Sequence, residues 1–243
     1  MNELERQLKL VYERIPSVRV LGIFLRGSQN YGLANENSDV DSVALVFPSN
    51  EDFIFNRKPE NYIIKDGEHN QIQVLDIRLF FHQLRKSSPS CLELLFTKYE
   101  IVEVPYWFSW NRIKEHREKI AYLNKNNLLK AYQGFIHTNM KQFLNVPDKR
   151  HKKAYQILRA WEIVTKILRN SSYEEALYCQ TELTRMIKDK EISVDNSNAE
   201  LIMDIGNMTK QKIDNMEELE SVEDNILDKL QKEIILFYMG RVF

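Results

Sequence analysis

The residues best suited to carry out chemistry are two aspartates, Asp39 and Asp41, which a single residue separates. An apolar run at 43–46 follows them and is typical of a buried strand. Side chains two positions apart on a strand point to the same face, so both carboxylates can reach one cation. Carboxylate oxygens suit Mg²⁺ or Mn²⁺. The spacing therefore predicts a site for one of these metals.

A glycine–serine pair, Gly27 and Ser28, ends an apolar stretch at 18–25 that predicts another strand. A turn of this kind leaves backbone amides and a hydroxyl available to phosphate oxygens. Arg26 lies beside the turn and can reach an anion bound there. A phosphate-binding turn next to a metal site predicts phosphoryl or nucleotidyl transfer, in which metal ions neutralise the developing charge.

Two-metal transfer needs a third carboxylate beside the first pair. The best candidate is Asp76, near the end of an alternating run at 71–77 that predicts a strand. A neighbouring strand could present Asp76 to Asp39 and Asp41. The alternative is an acid that merely ends a strand.

The same residues resemble the DNA polymerase β superfamily of nucleotidyltransferases, through Gly27-Ser28 and the Asp39-x-Asp41 pair. The segments 27–42, 67–69, 75–79 and 92–97 more narrowly resemble predicted nucleotidyltransferases of phages and bacteria. This resemblance implies that Asp39, Asp41 and Asp76 bind the metals and act in catalysis. It also implies that Gly27 and Ser28 bind the triphosphate, and that a nucleoside monophosphate passes to an acceptor hydroxyl as pyrophosphate leaves.

Other polar residues have two interpretations each. Lys152 and Arg159 share one face of a predicted helix that weakly resembles a basic helix of the same group, so both are candidates for nucleotide binding. A solvated charged face explains them equally well. Glu68 and His69 suit a solvent-facing pair better than a catalytic one. Glu93 suits a buried or partly exposed acid better than a functional one.

Composition favours no partner class, because 34 basic and 35 acidic residues leave a net charge of -1. The two cysteines, Cys91 and Cys179, suit buried hydrophobic positions in a reducing compartment. No apolar run is long enough to span a membrane. The sequence therefore predicts a cytoplasmic protein with no membrane contact.

The predicted fold class is α+β, with a small mixed β-sheet and flanking helices at 1–108 and a helical C-terminal domain at 109–243. Helical periodicity dominates after Pro105 and outlines a long last helix from Ile213 to Leu230. The function predicted is metal-dependent nucleotidyl transfer from a nucleoside triphosphate. The alternative is a non-catalytic nucleotide-binding protein of regulatory or antitoxin-like type. An RNA end, a protein side chain and a small molecule all fit as acceptor, and the oligomeric state is open.

Overall fold

The computed structural model describes residues 2–34, 38–178, 181–216 and 225–240, without the side chains of residues 196 and 197. The strands are β1 Arg19–Arg26, β2 Asp41–Phe47, β3 Asn61–Asp66, β4 Asn70–Asp76 and β5 Glu100–Val102. The helices are α1 Glu3–Arg14, α2 Asn50–Ile54, α3 Ile77–Arg85, α4 Pro89–Phe96, α5 Trp107–Glu115, α6 Arg117–Ala121, α7 Lys125–Asn145, α8 Arg150–Leu168, α9 Tyr173–Leu177, α10 Glu182–Lys188, α11 Asn196–Asp214 and α12 Ile226–Met239.

The strands form one mixed sheet in the order β3-β4-β2-β1-β5. β1 pairs antiparallel with both β2 and β5, and β3 pairs antiparallel with β4. β2 and β4 are parallel, with Asp41 beside Gln71 and Val46 beside Asp76. A mixed sheet with flanking helices confirms the predicted α+β class.

The sheet has two differently covered faces, because neighbouring strand residues point to opposite sides. On the α1 face, apolar side chains of β1, β2 and β4 pack against α1; the buried residues are Leu4, Val11, Val20, Ile23, Leu25, Ala44, Val46, Ile72 and Val74. The other face is called the α5 face, because the ring of Phe24 lies 4.5 Å from that of Trp110 on α5. Val43 and Asp41 share this second face with Phe24.

Helix α1 is capped by Asn2, whose side chain accepts a hydrogen bond from the amide of Leu4, while the Glu5 carboxylate accepts one from the amide of Asn2. This reciprocal capping satisfies backbone donors at the helix start. The helix ends at Arg14, just before the residue that precedes Pro16, as the sequence predicted.

The last helix, α12, packs within the same unit as the sheet. The ring of Tyr238 stacks on Phe47 at 4.4 Å, and its hydroxyl donates to the carbonyl of Pro48 at 2.9 Å. Asp228 near the start of α12 accepts a hydrogen bond from Arg85. Contacts divide the chain into a first unit, Met1–Leu123 with Glu223–Phe243, and a second unit, Asn124–Val222.

The second unit is helical, with α7, α8 and α11 as its long elements. The buried carboxylate of Glu162 accepts hydrogen bonds from the hydroxyls of Thr181 and Thr184, which ties α8 to α10. Tyr132 and Tyr173 join α7 to α9 through their hydroxyls, 3.0 Å apart. In the described ranges, no helix is both long and apolar enough to cross a membrane.

The organisation differs from the sequence prediction in two respects. The first unit extends to Leu123 instead of residue 108, and it also includes α12. The single long helix predicted from Ile213 to Leu230 is divided, because α11 ends at Asp214 and α12 begins at Ile226. Leu219 and Val222 of that prediction, and also Cys179, lie outside the described residues.

Gly22 is required where β1 passes β5. A β-carbon at this position would lie 2.6 Å from the carbonyl oxygen of Ile101, and a backbone atom cannot give way easily. We expect Gly22→Ala to lower the free energy of unfolding by about 1–3 kcal/mol, measured by urea denaturation. Gly134→Ala is the control, because a β-carbon there meets nothing within 4 Å and α7 should gain about 0.5–1 kcal/mol. Equal effects of the two changes would contradict the steric explanation.

Candidate nucleotide-binding site

The glycine–serine turn directly follows β1. Gly27 has φ 78° and ψ -156°, a backbone conformation that is essentially restricted to glycine. A short 3₁₀ turn over Ser28–Tyr31 follows, and Gly32 ends it in the left-handed conformation with φ 70°. The chain therefore turns sharply at the end of the strand, as the sequence predicted.

This turn is fixed to its surroundings by two side-chain amide groups. The Asn30 side chain is buried, and its oxygen accepts hydrogen bonds from the Thr97 hydroxyl at 2.9 Å and the Lys98 amide at 3.3 Å. The side chain of Gln29 donates to the carbonyl of Ser38 at 3.4 Å. The turn is thus connected both to the segment after α4 and to the segment that carries the aspartate pair.

The backbone between Asp39 and Asp41 is held from two sides. The Val40 amide donates to the side-chain oxygen of Asn70 at 2.8 Å, and its carbonyl accepts from the side-chain nitrogen of Gln7 at 2.9 Å. The Val40 side chain packs against the α1 core. Because neighbouring strand residues point in opposite directions, Asp41 at the start of β2 is directed away from that core, and Asp39 precedes the strand on the other side of Val40.

Gln7 is itself positioned by a buried acid, Asp66, at the end of β3. Asp66 accepts hydrogen bonds from Gln7 at 3.0 Å and from the Arg6 guanidinium at 2.6 Å. Burial raises the pKa of Asp66, but the hydrogen bonds from Arg6 and Gln7 and the charge of Arg6 outweigh it and leave the pKa below its ordinary value. Asp66 is therefore a charged anchor for the residue that holds Val40.

Four neighbouring strands place polar side chains in one row on the α5 face. Arg26 of β1 is opposite Asp41 of β2, Asp41 is beside Gln71 of β4, and Gln71 is opposite Lys65 of β3. Adjacent strands are about 4.8 Å apart, so this row spans roughly 14 Å. Lys65 is exposed, and it was not predicted as a site residue. In the sequence, Gly67 lies between the apolar residues at 62–64 and the alternating run at 71–77, which is a signal for the hairpin that positions Lys65.

Gln73 is the next β4 residue on this face, beside Val43. Its side-chain oxygen accepts a hydrogen bond from Arg26 at 2.7 Å, and its nitrogen donates to Asn61 at 2.8 Å. Because β2 lies between β1 and β4, the Arg26 side chain crosses β2 next to Asp41 to make this bond. Gln73 is a second residue that the sequence prediction missed.

The structure does not bring Asp76 to the aspartate pair, contrary to the sequence prediction. β2 and β4 are parallel, so Asp76 at the end of β4 lies beside Val46, whereas Asp41 begins β2. The separation along the strands is roughly 16 Å. Val46 points to the α1 face, so Asp76 and Asp41 also lie on opposite faces. The ions of a two-metal site are only about 4 Å apart, and Asp76 cannot complete such a site here.

Asp76 instead forms a buried ion pair. Its carboxylate accepts hydrogen bonds from the Arg78 backbone amide and guanidinium, both at 2.7 Å, and so caps α3. The guanidinium also donates to the carbonyls of Asp52 and Arg57. Asp76 lines a separate cavity of about 560 Å³ that Asp41 does not line. The contacts of Asp76 are those of a structural residue.

The other predicted residues are placed as follows. Lys152 is exposed on α8 of the second unit, and Arg159 on the same helix contacts the carbonyl of Leu177 at 3.4 Å. Their role in phosphate binding stays a prediction. Glu68 and His69 are highly exposed in the β3–β4 turn, with side chains 92% and 76% accessible. Glu93 is half-buried on α4.

The donor set limits which metal site is possible. Among the residues that the structure describes, no three His, Cys, Asp or Glu side chains are grouped closely enough to hold a metal ion. A three-carboxylate site for two metals therefore does not fit this part of the chain. Asp39 and Asp41 are two hard oxygen donors on either side of the held Val40, and this pair fits a single Mg²⁺ or Mn²⁺.

The match to a family model places the chain among the nucleotidyltransferases of the DNA polymerase β superfamily. The chain belongs to RlaP, the RNA repair pathway DNA polymerase beta family, whose model matches residues 2–237. The matched residues cover both units, so the family relationship is not confined to the sheet.

Comparison with solved structures gives a weaker result. A crystal structure of a nucleotidyltransferase-like protein from Exiguobacterium sibiricum 255-15 is 10% identical, with 98% of this chain and 91% of that chain covered and a TM-score of 0.34. That similarity supports no inference, and the family assignment rests on the family model. The comparison with curated proteins found no match.

We expect Asp76→Asn to destabilise the protein because it leaves the largely buried Arg78 guanidinium, 15% accessible, without its counter-charge. The asparagine can still cap α3, so the change isolates the ion pair. The free energy of unfolding should fall by about 3 kcal/mol in urea denaturation. Asp228→Asn breaks the exposed pair with Arg85 and should cost less than about 1 kcal/mol. Loss of triphosphate binding with unchanged stability would instead support a metal role for Asp76.

The Asp66 anchor predicts a specific pH dependence. Its pKa in the folded state lies below the ordinary value of 3.8, so its stabilising effect is present above that value and is lost as the pH falls through the folded-state pKa. We expect Asp66→Asn to destabilise the protein at pH 7, with a difference from wild type that shrinks below about pH 4. Urea denaturation across this range measures it. The exposed Asp148 provides the control, since Asp148→Asn should have little effect at either pH. An effect of Asp66→Asn that does not change with pH would contradict the prediction.

Proposed function

We propose that the chain binds a nucleoside triphosphate with a divalent cation at the Gly27–Ser28 turn and transfers the nucleoside monophosphate to an acceptor hydroxyl. The observation that supports this most directly is the held backbone at Val40, which lies between Asp39 and Asp41, together with the pairing of Asp41 opposite Arg26. A carboxylate pair, an arginine side chain and a glycine turn at one edge of a sheet suit a polyanionic ligand with a bound metal ion.

Each residue has a distinct role in this proposal. Asp39 and Asp41 ligate the cation, which neutralises phosphate charge and orients the triphosphate when it is bound. The turn amides and the Ser28 hydroxyl hold the β- and γ-phosphates. Arg26 and Lys65 carry the positive charges of the row and attract the remaining phosphate oxygens.

The proposed reaction is an in-line displacement at the α-phosphorus. The acceptor oxygen forms a bond to this phosphorus as the bond to the β-phosphate oxygen breaks, and pyrophosphate leaves with the electron pair. The hydroxyl proton passes to solvent. The protein contributes mainly by positioning and charge neutralisation, which account for most of the catalysis in phosphoryl transfer.

We further propose an RNA hydroxyl as the acceptor. The description of the matched family names an RNA repair pathway, which favours RNA over a protein side chain or a metabolite. A net charge of -1 requires that any RNA contact use a local basic surface rather than an overall positive field.

A second candidate function is nucleotide binding without turnover. The observation that favours it is the presence of two amides, Gln71 and Gln73, beside Asp41 on β4. Triphosphate binding without release of pyrophosphate in the presence of RNA, protein and small-molecule acceptors would support this alternative.

Asp41→Asn should reduce nucleotide transfer by about 100-fold or more, because it removes a charged ligand of the cation. The assay incubates each α-labelled triphosphate with Mg²⁺ or Mn²⁺ and total RNA, and measures labelled RNA and released pyrophosphate. Asp204→Asn replaces an exposed acid on α11 and serves as the matched control. Unchanged transfer by a folded Asp41→Asn variant would refute the assignment.

A further inference from the structure

The residues that β4 places beside Asp41 carry no charge. Gln71 is its direct neighbour, and Gln73 is the next residue on the same face. In two-metal transfer, a third carboxylate joins the first two to hold a second cation. An amide oxygen can contact a cation but contributes no negative charge. Within the described part of the chain, no third acid is grouped with Asp39 and Asp41 to hold a metal ion.

The Gln73 amide is also already bonded on both sides. Its oxygen accepts from the Arg26 guanidinium at 2.7 Å, and its nitrogen donates to the Asn61 oxygen at 2.8 Å. A metal ion that used that oxygen would lie beside the Arg26 guanidinium, a group of the same sign of charge. The hydrogen bond thus favours the guanidinium over a second cation at this position.

Arg26 is well placed to supply the missing positive charge. Its backbone is opposite Asp41, and its side chain crosses β2 to reach Gln73. A guanidinium presents several donors in a fixed plane and binds phosphate oxygens through two of them. Gln73 uses one donor and so restricts the orientation of the others.

We infer that this site holds a single divalent cation, on Asp39 and Asp41 with the triphosphate, and that Gln73 orients Arg26 where a second cation would otherwise bind. The inference rests on the proposed function, since it concerns the same site. It makes Gln73 a positioning residue, and it means that no metal ion assists the acceptor hydroxyl.

The test counts bound metal ions on the full chain. Mn²⁺ is titrated into protein saturated with a triphosphate analogue that cannot be cleaved between the α- and β-phosphates, and free Mn²⁺ is measured by electron paramagnetic resonance. We expect about one Mn²⁺ per chain for the wild type and about two for Gln73→Asp, which supplies the third carboxylate. Gln211→Asp adds an acid at an exposed position of α11 and should leave the count at about one.

Two further variants separate the roles of charge and orientation. In Gln73→Asp the new acid can pair with Arg26, so the double variant Arg26→Gln, Gln73→Asp removes that competing cation and should also bind about two Mn²⁺. Gln73→Leu should still bind about one, with roughly tenfold weaker affinity for the analogue, because Arg26 loses its orienting hydrogen bond. Thermal denaturation of each variant checks that it is folded.

The outcomes distinguish this inference from the proposed function. About two Mn²⁺ on the wild type would overturn the inference while leaving nucleotide binding intact. The inference also fails if folded Gln73→Asp and the double variant both remain at about one. Absence of any binding of the analogue to the wild type would instead overturn the proposed function itself.

Discussion

The parallel pairing of β2 with β4 is the constraint on which the site depends. It brings the beginnings of the two strands together, so the neighbours of Asp41 are Gln71 and Gln73. It also sends Asp76 to the other end of the sheet, where it is buried with Arg78. Had β2 and β4 run antiparallel, the end of β4 that carries Asp76 would lie beside Asp41, and the end that carries Gln71 would lie at the far end of β2. The chemistry of this edge is therefore decided by strand direction as much as by residue type.

A second layer of contacts makes the edge rigid. Val40 is held through its own backbone groups by Gln7 and Asn70, and Gln7 is held in turn by Asp66. These side chains come from α1, β3 and β4, so three elements must be in place before the backbone between the two aspartates is held. A site positioned by secondary structure is more precise than one on a free loop.

Much of this arrangement could be predicted from the sequence, because local patterns determine local structure. The glycine–serine turn and three of the four longer strands follow from residue type and alternation, and the structure confirms them. Alternation shows which residues share a face of a strand, but it does not show which strand is adjacent or in which direction it runs. The incorrect expectation for Asp76 came from this missing information.

The sequence prediction missed other site residues for the same reason. Gln73 and Lys65 are unremarkable polar residues in the sequence, and their importance comes from the partners that pairing gives them. The short β5, only three residues long, has too little pattern to be recognised. The packing of α12 within the sheet unit could not be predicted either, because a contact between residues as far apart in sequence as Phe47 and Tyr238 produces no local sequence pattern.

That packing has a consequence for biosynthesis. During translation, the five strands leave the ribosome long before Tyr238. Phe47 and the carbonyl of Pro48 therefore lack their partner on α12 while the whole helical second unit is made. Closing so long a loop carries an entropic cost that grows only slowly with its length. The nascent chain nevertheless lacks this covering of Phe47 until α12 emerges, and during that interval chaperones would have an apolar surface to bind.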